Sequence, residues 1–365
     1  YPEIVILENG NDLENKCYTA YMKSMKSMAQ DKESFNDYWS KIYEKIKGYK
    51  RIYLSCDGIY NKINPETFLM PDGKYLMQEQ EIFQVNSTKD LISGYFRKQT
   101  ETNIYNSAEL FGNPTFDLPL ATLKEKEKKY EVAIAIDNQN TGTGNDRGLI
   151  LKALPGTEKE VSDIDNYLKS KNWVVKSYIK DEAIKAAIKS IHSPRVLHIA
   201  THGLFLSDIK KDSSLTFGME TKRMVENPLL RSGLFFAGAA NNKDSSNFVP
   251  TGEDNGFLTS YEAMNLDLEN TELVVLSACE TGLGEIQNGE GVFGLRRAFQ
   301  QAGAKTVVMT LWKVFDSPTQ EMMTKFYANW VTGMTKREAF SKAKQEIQSK
   351  YKDPYYWGAF VMVGE

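Results

Sequence analysis

Two short apolar runs each end in a residue suited to nucleophilic chemistry. Arg195-Val196-Leu197-His198-Ile199-Ala200-Thr201 leads into His202-Gly203, and Leu273-Val274-Val275-Leu276-Ser277-Ala278 leads into Cys279-Glu280-Thr281-Gly282. A thiolate is a strong nucleophile, and an imidazole within hydrogen-bond reach raises its fraction at neutral pH or removes the proton during attack. Both runs read as strands. Set side by side and parallel, they would deliver His202 and Cys279 to the same carboxyl edge, where open α/β sheets gather their sites. Gly203 lets backbone approach closely, and its N–H, with that of Cys279, is suited to hold the oxyanion of a tetrahedral intermediate. Taken alone, the arrangement fits equally well a buried strand-end thiol and a hydrogen-bonded turn histidine, because free cysteines are commonly core residues.

The other reactive side chains are less telling. His198 and His202 stand four apart, a zinc spacing on a helix, but four strand residues span about 13 Å, too far to share one ion. His198 is expected to be an in-strand histidine with a core or neighbouring partner, and His192, before Ser193-Pro194, a loop residue. Gly289-Glu290-Gly291-Val292-Phe293-Gly294 matches a dinucleotide fingerprint. The preceding strand ends about ten residues too early for the glycines to turn beneath a pyrophosphate, so loop and helix-packing roles fit better. No metal or cofactor is expected. Asp316 follows the strand that ends at Leu311-Trp312. Ser317-Pro318-Thr319-Gln320 reads as a capping box with proline at the first helical position, which gives Asp316 a helix-dipole role. An acidic wall for a basic substrate side chain is the alternative.

The elements that must position these residues alternate along the chain. Tyr21 to Lys47 reads as one or two helices and Lys50 to Ser55 as a strand. The charge run Lys124 to Lys129 reads as a solvated link. Beyond it come a strand at Val132–Ile136, a loop from Asn138 to Gly148, and a helix face at Val161, Ile164 and Leu168. Then follow a strand at Trp173–Ile179, a helix at Ile184–Ile191, the two site strands, and a long irregular stretch from Ser207 to Gly256. A helix at Val292–Ala302, a strand at Thr306–Leu311, helices at Met322–Trp330 and Ala339–Ile347, and a strand at Ala359–Val363 complete the pattern. Strands alternating with helices predict a mostly parallel sheet covered on both faces.

The bulk properties agree with a folded α/β chain. The 365 residues are 41% hydrophobic and carry a net charge of -3, so nothing in the balance favours a nucleic-acid partner. No apolar run approaches the roughly 18 residues of a membrane helix. Three cysteines, Cys17, Cys56 and Cys279, make no disulfide framework or zinc knuckle, which predicts a reducing, cytoplasmic setting. A chain that begins at Tyr1 with no signal-peptide pattern is expected to be a fragment.

At the two strand-end blocks the resemblance becomes specific. Val196 to Gly203 and Val275 to Gly282 resemble the signature blocks of CHAT domains, caspase-like (clan CD) cysteine peptidases usually attached to tetratricopeptide repeats. Leu154-Pro155-Gly156-Thr157, Ser232-Gly233-Leu234, Leu258-Thr259-Ser260-Tyr261-Glu262, Ala302-Gly303-Ala304, Leu311-Trp312-Lys313-Val314 and Tyr356-Trp357-Gly358 agree, as do Glu8-Asn9-Gly10, Pro71-Asp72-Gly73 and Leu110-Phe111-Gly112-Asn113-Pro114 in the first part. The resemblance implies a caspase-like, mostly parallel sheet with helices on both faces, preceded by a degenerate pseudo-protease half as in separase. The halves would be residues 1–122 and 130–365. It implies His202 as general base, Cys279 as nucleophile, and Gly203 and Cys279 as oxyanion donors.

Ser277 stands where caspases place the glutamine that faces a P1 aspartate, and Asp316 is acidic where separase has its arginine-binding acid. Together with Asp254, these are candidates to line the S1 pocket, and they favour a basic or apolar P1 side chain. The implied function is a cysteine endopeptidase gated by an upstream repeat region or sensor partner. It would act on a specific protein substrate, in bacterial defence or regulated cell death. The rival is a catalytically latent CHAT-like interaction module. The first half already fits that reading, since Cys56 ends a strand but no histidine precedes His192.

Overall fold

The computed structural model describes residues 2–89, 91, 105–130, 151–206, 215–216, 219–220, 227–240, 256–278, 285–287 and 291–364. The strands used below are β1 (Arg51–Ser55), β2 (Glu81–Val85), β3 (Ser107–Gly112), β4 (Val174–Ile179), β5 (Val196–Ala200), β6 (Gly203–Phe205), β7 (Ser232–Phe235), β8 (Phe257–Thr259), β9 (Leu273–Leu276), β10 (Thr306–Thr310) and β11 (Phe360–Gly364). The helices are α1 (Tyr18–Lys26), α2 (Ser40–Ile46), α3 (Leu120–Glu127), α4 (Pro155–Ser170), α5 (Lys185–Lys189), α6 (Ser260–Ala263), α7 (Leu295–Gln301), α8 (Asp316–Val331) and α9 (Lys336–Lys350).

Contacts divide the chain into two compact units, one of residues 1–100, 286–292 and 310–365, the other of residues 101–285 and 293–309. These units cut across the halves 1–122 and 130–365. Strand β3, from the first half, lies between β4 and β5 of the second and pairs in parallel with both. Adjacency in a sheet follows the burial of apolar strands rather than their order along the chain.

The second unit carries parallel strands in the order β10-β9-β5-β3-β4. Every residue of β5, β9 and β10 is buried. Buried strands of parallel sheets are expected to read as near-continuous Val/Leu/Ile runs, as β9 does, while β5 contains His198 and β10 begins and ends with threonine. Helix α4 packs against β3, β4 and β5. Its face Val161, Ile164 and Leu168 is fully buried, which is the i, i+3, i+7 stripe that the sequence shows.

A small antiparallel sheet, β8-β7-β6, continues from the end of β5. Its central strand demands glycine at one position. A Cβ on Gly233 would lie 2.4 Å from the Leu258 carbonyl oxygen and 2.6 Å from the Phe257 ring. Gly233→Ala is therefore expected to destabilise the protein by about 1–3 kcal/mol. A fall in the urea midpoint without a change in slope is the measurement that checks it.

The first unit carries parallel strands in the order β1-β2-β11. Its core is aromatic: Tyr21, Tyr38, Trp39, Phe68 and Trp312 are all buried. Tyr21 meets Phe68 and Trp312 edge-on, and the Trp312 indole N–H donates to the Tyr355 carbonyl at 3.1 Å. No helix among the described residues is long and apolar enough to cross a membrane.

Three local expectations are corrected. The charge run at Lys124–Lys129 is not a link. It lies in α3 and the turn after it, because buried Leu123 pins one face and Lys126 pairs with Glu182. The helix expected over Ile184–Ile191 shortens to the five residues of α5, since Ser190 and then Ser193-Pro194 end it. Ser317 does not cap α8. The helix starts at Asp316, two residues before Pro318, with no side-chain cap, and the Thr319 hydroxyl donates back to the Phe315 carbonyl at 3.0 Å. The expected strand Val132–Ile136 and the loop Asn138–Gly148 lie outside the described residues, as does much of Ser207–Gly256.

Candidate active site

Strands β5 and β9 are parallel neighbours, in register from Val196 opposite Leu273 to Ile199 opposite Leu276. The Ser277 N–H donates to the Ile199 carbonyl at 2.9 Å, which carries the ladder one residue further. Positions 202 and 279 each follow three residues beyond the paired Ile199 and Leu276. Cys279 itself lies outside the described residues; Ala278, the last described residue before it, is buried. Asp254 also lies outside them.

His202 is held on several sides. Its Nε2 stands 2.8 Å from the backbone carbonyl oxygen of Lys152. A carbonyl only accepts, so Nε2 carries the proton of this bond, which makes Nδ1 the unprotonated nitrogen of the neutral ring. The His202 carbonyl accepts from the Phe235 N–H at 3.0 Å. The Phe116 ring lies 5.2 Å from the imidazole, centroid to centroid. Phe116 belongs to a buried cluster with Phe235, Ala239, Ala240 and Phe257, against which Leu151, Leu154 and Leu204 pack. The imidazole thus has an apolar wall and a fixed acceptor.

Gly203 opens β6 opposite Leu234. Ser277 is buried, and its hydroxyl has no hydrogen-bond partner among the described residues. Asp316 is the first residue of α8 and belongs to the other unit. His198 is fully buried in β5, with its Nε2 3.0 Å from a carboxylate oxygen of buried Glu160 on α4, a contact not aligned as a hydrogen bond. His192 instead stands exposed, its Nδ1 3.4 Å from Asp267. No cluster of three or more metal-ligating side chains occurs among the described residues.

The Lys152 carbonyl was not foreseeable from residue types, because a backbone acceptor has no side-chain signature. The nearest signal is the block Leu154-Pro155-Gly156-Thr157, which starts two residues later. Pro155 is the first residue of α4, where its missing N–H costs nothing.

The CHAT domain profile matches residues 35–365, and the chain belongs to the CHAT domain family. Tetratricopeptide repeat protein 28 of Homo sapiens is 29% identical over 109 residues, which make up 29% of this chain and 4% of the human protein. The chain thus spans only a small part of the curated relatives it matches. Among solved structures it is similar to the Arg-specific cysteine proteinase gingipain R (RgpB), at 10% identity and a TM-score of 0.49, over 100% of this chain and 79% of that one. It is also similar to the Saccharomyces cerevisiae separase–securin complex, at 13% identity and a TM-score of 0.42, over 90% of this chain and 17% of the other.

Proposed function

We propose that this chain is a cysteine endopeptidase in which Cys279 is the nucleophile and His202 the proton carrier. The observation that carries the reading is the parallel β5–β9 register together with the Nε2 bond of His202 to Lys152. That bond leaves Nδ1 as the basic nitrogen. In the proposed cycle Nδ1 takes the thiol proton, and the Cys279 sulfur attacks the scissile carbonyl carbon. The N–H groups of Gly203 and Cys279 receive the oxyanion. As the C–N bond breaks, the leaving amine takes the proton back from Nδ1, and a thioester remains on Cys279. Water, deprotonated by the same nitrogen, then releases the acid and restores the thiol.

Labelling of Cys279 by an acyloxymethyl-ketone probe, in the presence of the upstream region, tests the reading. Stoichiometric labelling that His202→Ala abolishes is the expected result. A silent thiol in folded, partner-bound protein would sink it and leave the latent interaction module.

In this reading residues 1–122 form a degenerate half and 130–365 the working half. An upstream tetratricopeptide-repeat region or sensor gates cleavage of a specific protein partner in the cytoplasm, in bacterial defence or regulated cell death. The name of the human relative supports repeats as the partner region. Asp316, Ser277 and Asp254 are the proposed S1 residues. Asp316→Ala is expected to cut kcat/KM for Arg or Lys at P1 by roughly tenfold or more, since a carboxylate–cation pair in a partly dry pocket is worth more than about 1.4 kcal/mol. A cleavage-site profile against a peptide library reads this directly, and an unchanged profile removes Asp316 from the pocket.

A further inference from the structure

In the first unit the start of α9 is tied to the ends of β2 and β11 by one side chain, Arg337. Its Nη2 donates to the carbonyl oxygen of Gln84 at 3.1 Å and to that of Gly364. Its guanidinium carbon lies 4.7 Å from the centre of the Phe83 ring. Both acceptors are neutral carbonyls, and Arg337 pairs with no carboxylate among the described residues. Burial pulls its pKa down to about 10, as expected of a cation taken from water without an opposite charge beside it. The two hydrogens of Nη2 are used by the carbonyls, which leaves those of Nε and Nη1.

Arg337 lines a cavity of about 30 Å³ with Glu66, Glu81, Phe83, Phe340 and Ser341. Each of the two carboxylates already has its own cation. Glu66 pairs with the ammonium of Lys344, a buried lysine that also donates to the Phe360 carbonyl at 2.9 Å. Glu81 accepts from Nε and Nη2 of Arg51, each at 3.2 Å. Glu66 and Glu81 are thus matched by Lys344 and Arg51, and the positive charge of Arg337 is in surplus. Ser341 stands one turn along α9 from Arg337, at i+4 on the same face. Its hydroxyl makes no hydrogen bond among the described residues. One face of α9 therefore brings a cation and a hydroxyl, both with hydrogens to donate, to a single cavity.

We propose that this cavity is a binding site for a carboxylate. One carboxylate oxygen accepts from the Arg337 guanidinium and the other from the Ser341 hydroxyl, while Phe83 and Phe340 wall the carbon chain that bears them. A cavity must offer roughly 10–15 Å³ to hold one water, so this one takes the two oxygens of a carboxylate but not the four of a phosphate. A single negative charge also matches the single surplus cation, and bonds between ionised partners are the strong ones. A short free carboxylic acid and the side chain of a glutamate in a peptide share this chemistry. The site uses neither Cys279 nor His202 and stands independently of the endopeptidase reading.

The test is the melting temperature of the full chain as propionate replaces chloride at constant ionic strength, with propionamide as the neutral isostere. Propionate is expected to raise Tm with a saturable dependence on its concentration, and propionamide to leave it unchanged. Arg337→Gln, whose amide can still donate to a strand-end carbonyl, should abolish the rise. Ser341→Ala removes a hydroxyl that bonds nothing in the fold, and should weaken propionate roughly tenfold, the worth of one hydrogen bond to a charged group. A capped glutamyl residue, set against its glutaminyl counterpart, separates the sources. Stabilisation by the glutamyl compound at lower concentration than propionate assigns the site to an acidic side chain, and stabilisation by propionate alone assigns it to a free acid. Equal shifts from propionate and propionamide overturn the proposal, as does the lack of any saturable rise up to about 100 mM propionate. A rise that Arg337→Gln retains, or an affinity that Ser341→Ala leaves unchanged, overturns it as well.

Discussion

If the chain is the proposed endopeptidase, Cys279→Ala is expected to eliminate peptide-bond cleavage, with a loss of at least about 10³-fold and up to about 10⁶-fold, the range seen when a single member of a nucleophile–base pair is removed. His202→Ala is expected to do nearly as much, and the double variant to be little worse than either alone, as two residues of one proposed unit should. Both variants are expected to keep the urea midpoint close to that of the wild type, since positions 202 and 279 lie outside the paired ladder from Val196–Leu273 to Ile199–Leu276. The assay is cleavage of a protein substrate in the presence of the upstream region. Equal cleavage by Cys279→Ala would remove Cys279 from the chemistry, whatever the family resemblance.

The largest expected effect on stability is at Glu262. Its carboxylate lies 2.6 Å from the ammonium of Lys185, a lysine with only 1% of its side chain exposed. It also accepts from the Thr259 N–H and hydroxyl, each at 3.0 Å, which completes the capping box of α6. Glu262→Ala leaves a buried ammonium without its carboxylate and is expected to cost about 3–5 kcal/mol. Lost capping adds about 1 kcal/mol, not strictly additively. The double variant Lys185→Met with Glu262→Gln should recover most of the loss, because replacing a buried pair outright is often neutral. Burial pushes the Glu262 carboxyl up, but Lys185, the Thr259 donors and Lys189 outweigh it, so the group sits below the usual carboxylate range. A depressed folded value means the contribution is complete above the unfolded value of about 4.3 and is lost as pH falls through the folded one. The stability gap between wild type and Glu262→Ala should therefore narrow on acidification below about pH 4. A constant gap from pH 7 to pH 3 would show that the pair is not ionic. The pin also bears on the site: α6 follows β8, and β8 is tied through β7 to β6, which begins at Gly203.

Much of this arrangement is legible in the residues. The runs at Val196–Ala200 and Leu273–Leu276 are short and, His198 apart, apolar, so burial on both faces leaves a parallel sheet as their natural place. The period of Val161, Ile164 and Leu168 gives α4 its face. What stays hidden depends on partners distant in sequence. The charge run in α3 reads as a link until Glu182 supplies a counter-charge for Lys126. Ser317-Pro318 reads as a cap because composition does not reveal that Phe315 precedes the first turn in extended conformation. Asn113 looks like an ordinary turn residue, since its three bonds reach residues more than 40 positions away. The Lys152 carbonyl is hidden for a different reason: every residue has one, and only the fold decides which one matters.

The insertion of β3 between β4 and β5 has a consequence for biosynthesis. At the entry to the site strands, Arg195 and Glu272 are bonded across 77 positions of chain, and β10, the other neighbour of β9, comes later still. A ribosome releases residues at about 5–20 per second. His202 therefore exists for several seconds before the strand leading to Cys279 has been made, and the sheet that would align them cannot close until β9 and β10 have emerged. A nascent chain stalled after about residue 270 should show β3–β4 pairing by hydrogen exchange, with β5 still lacking one of its two neighbours.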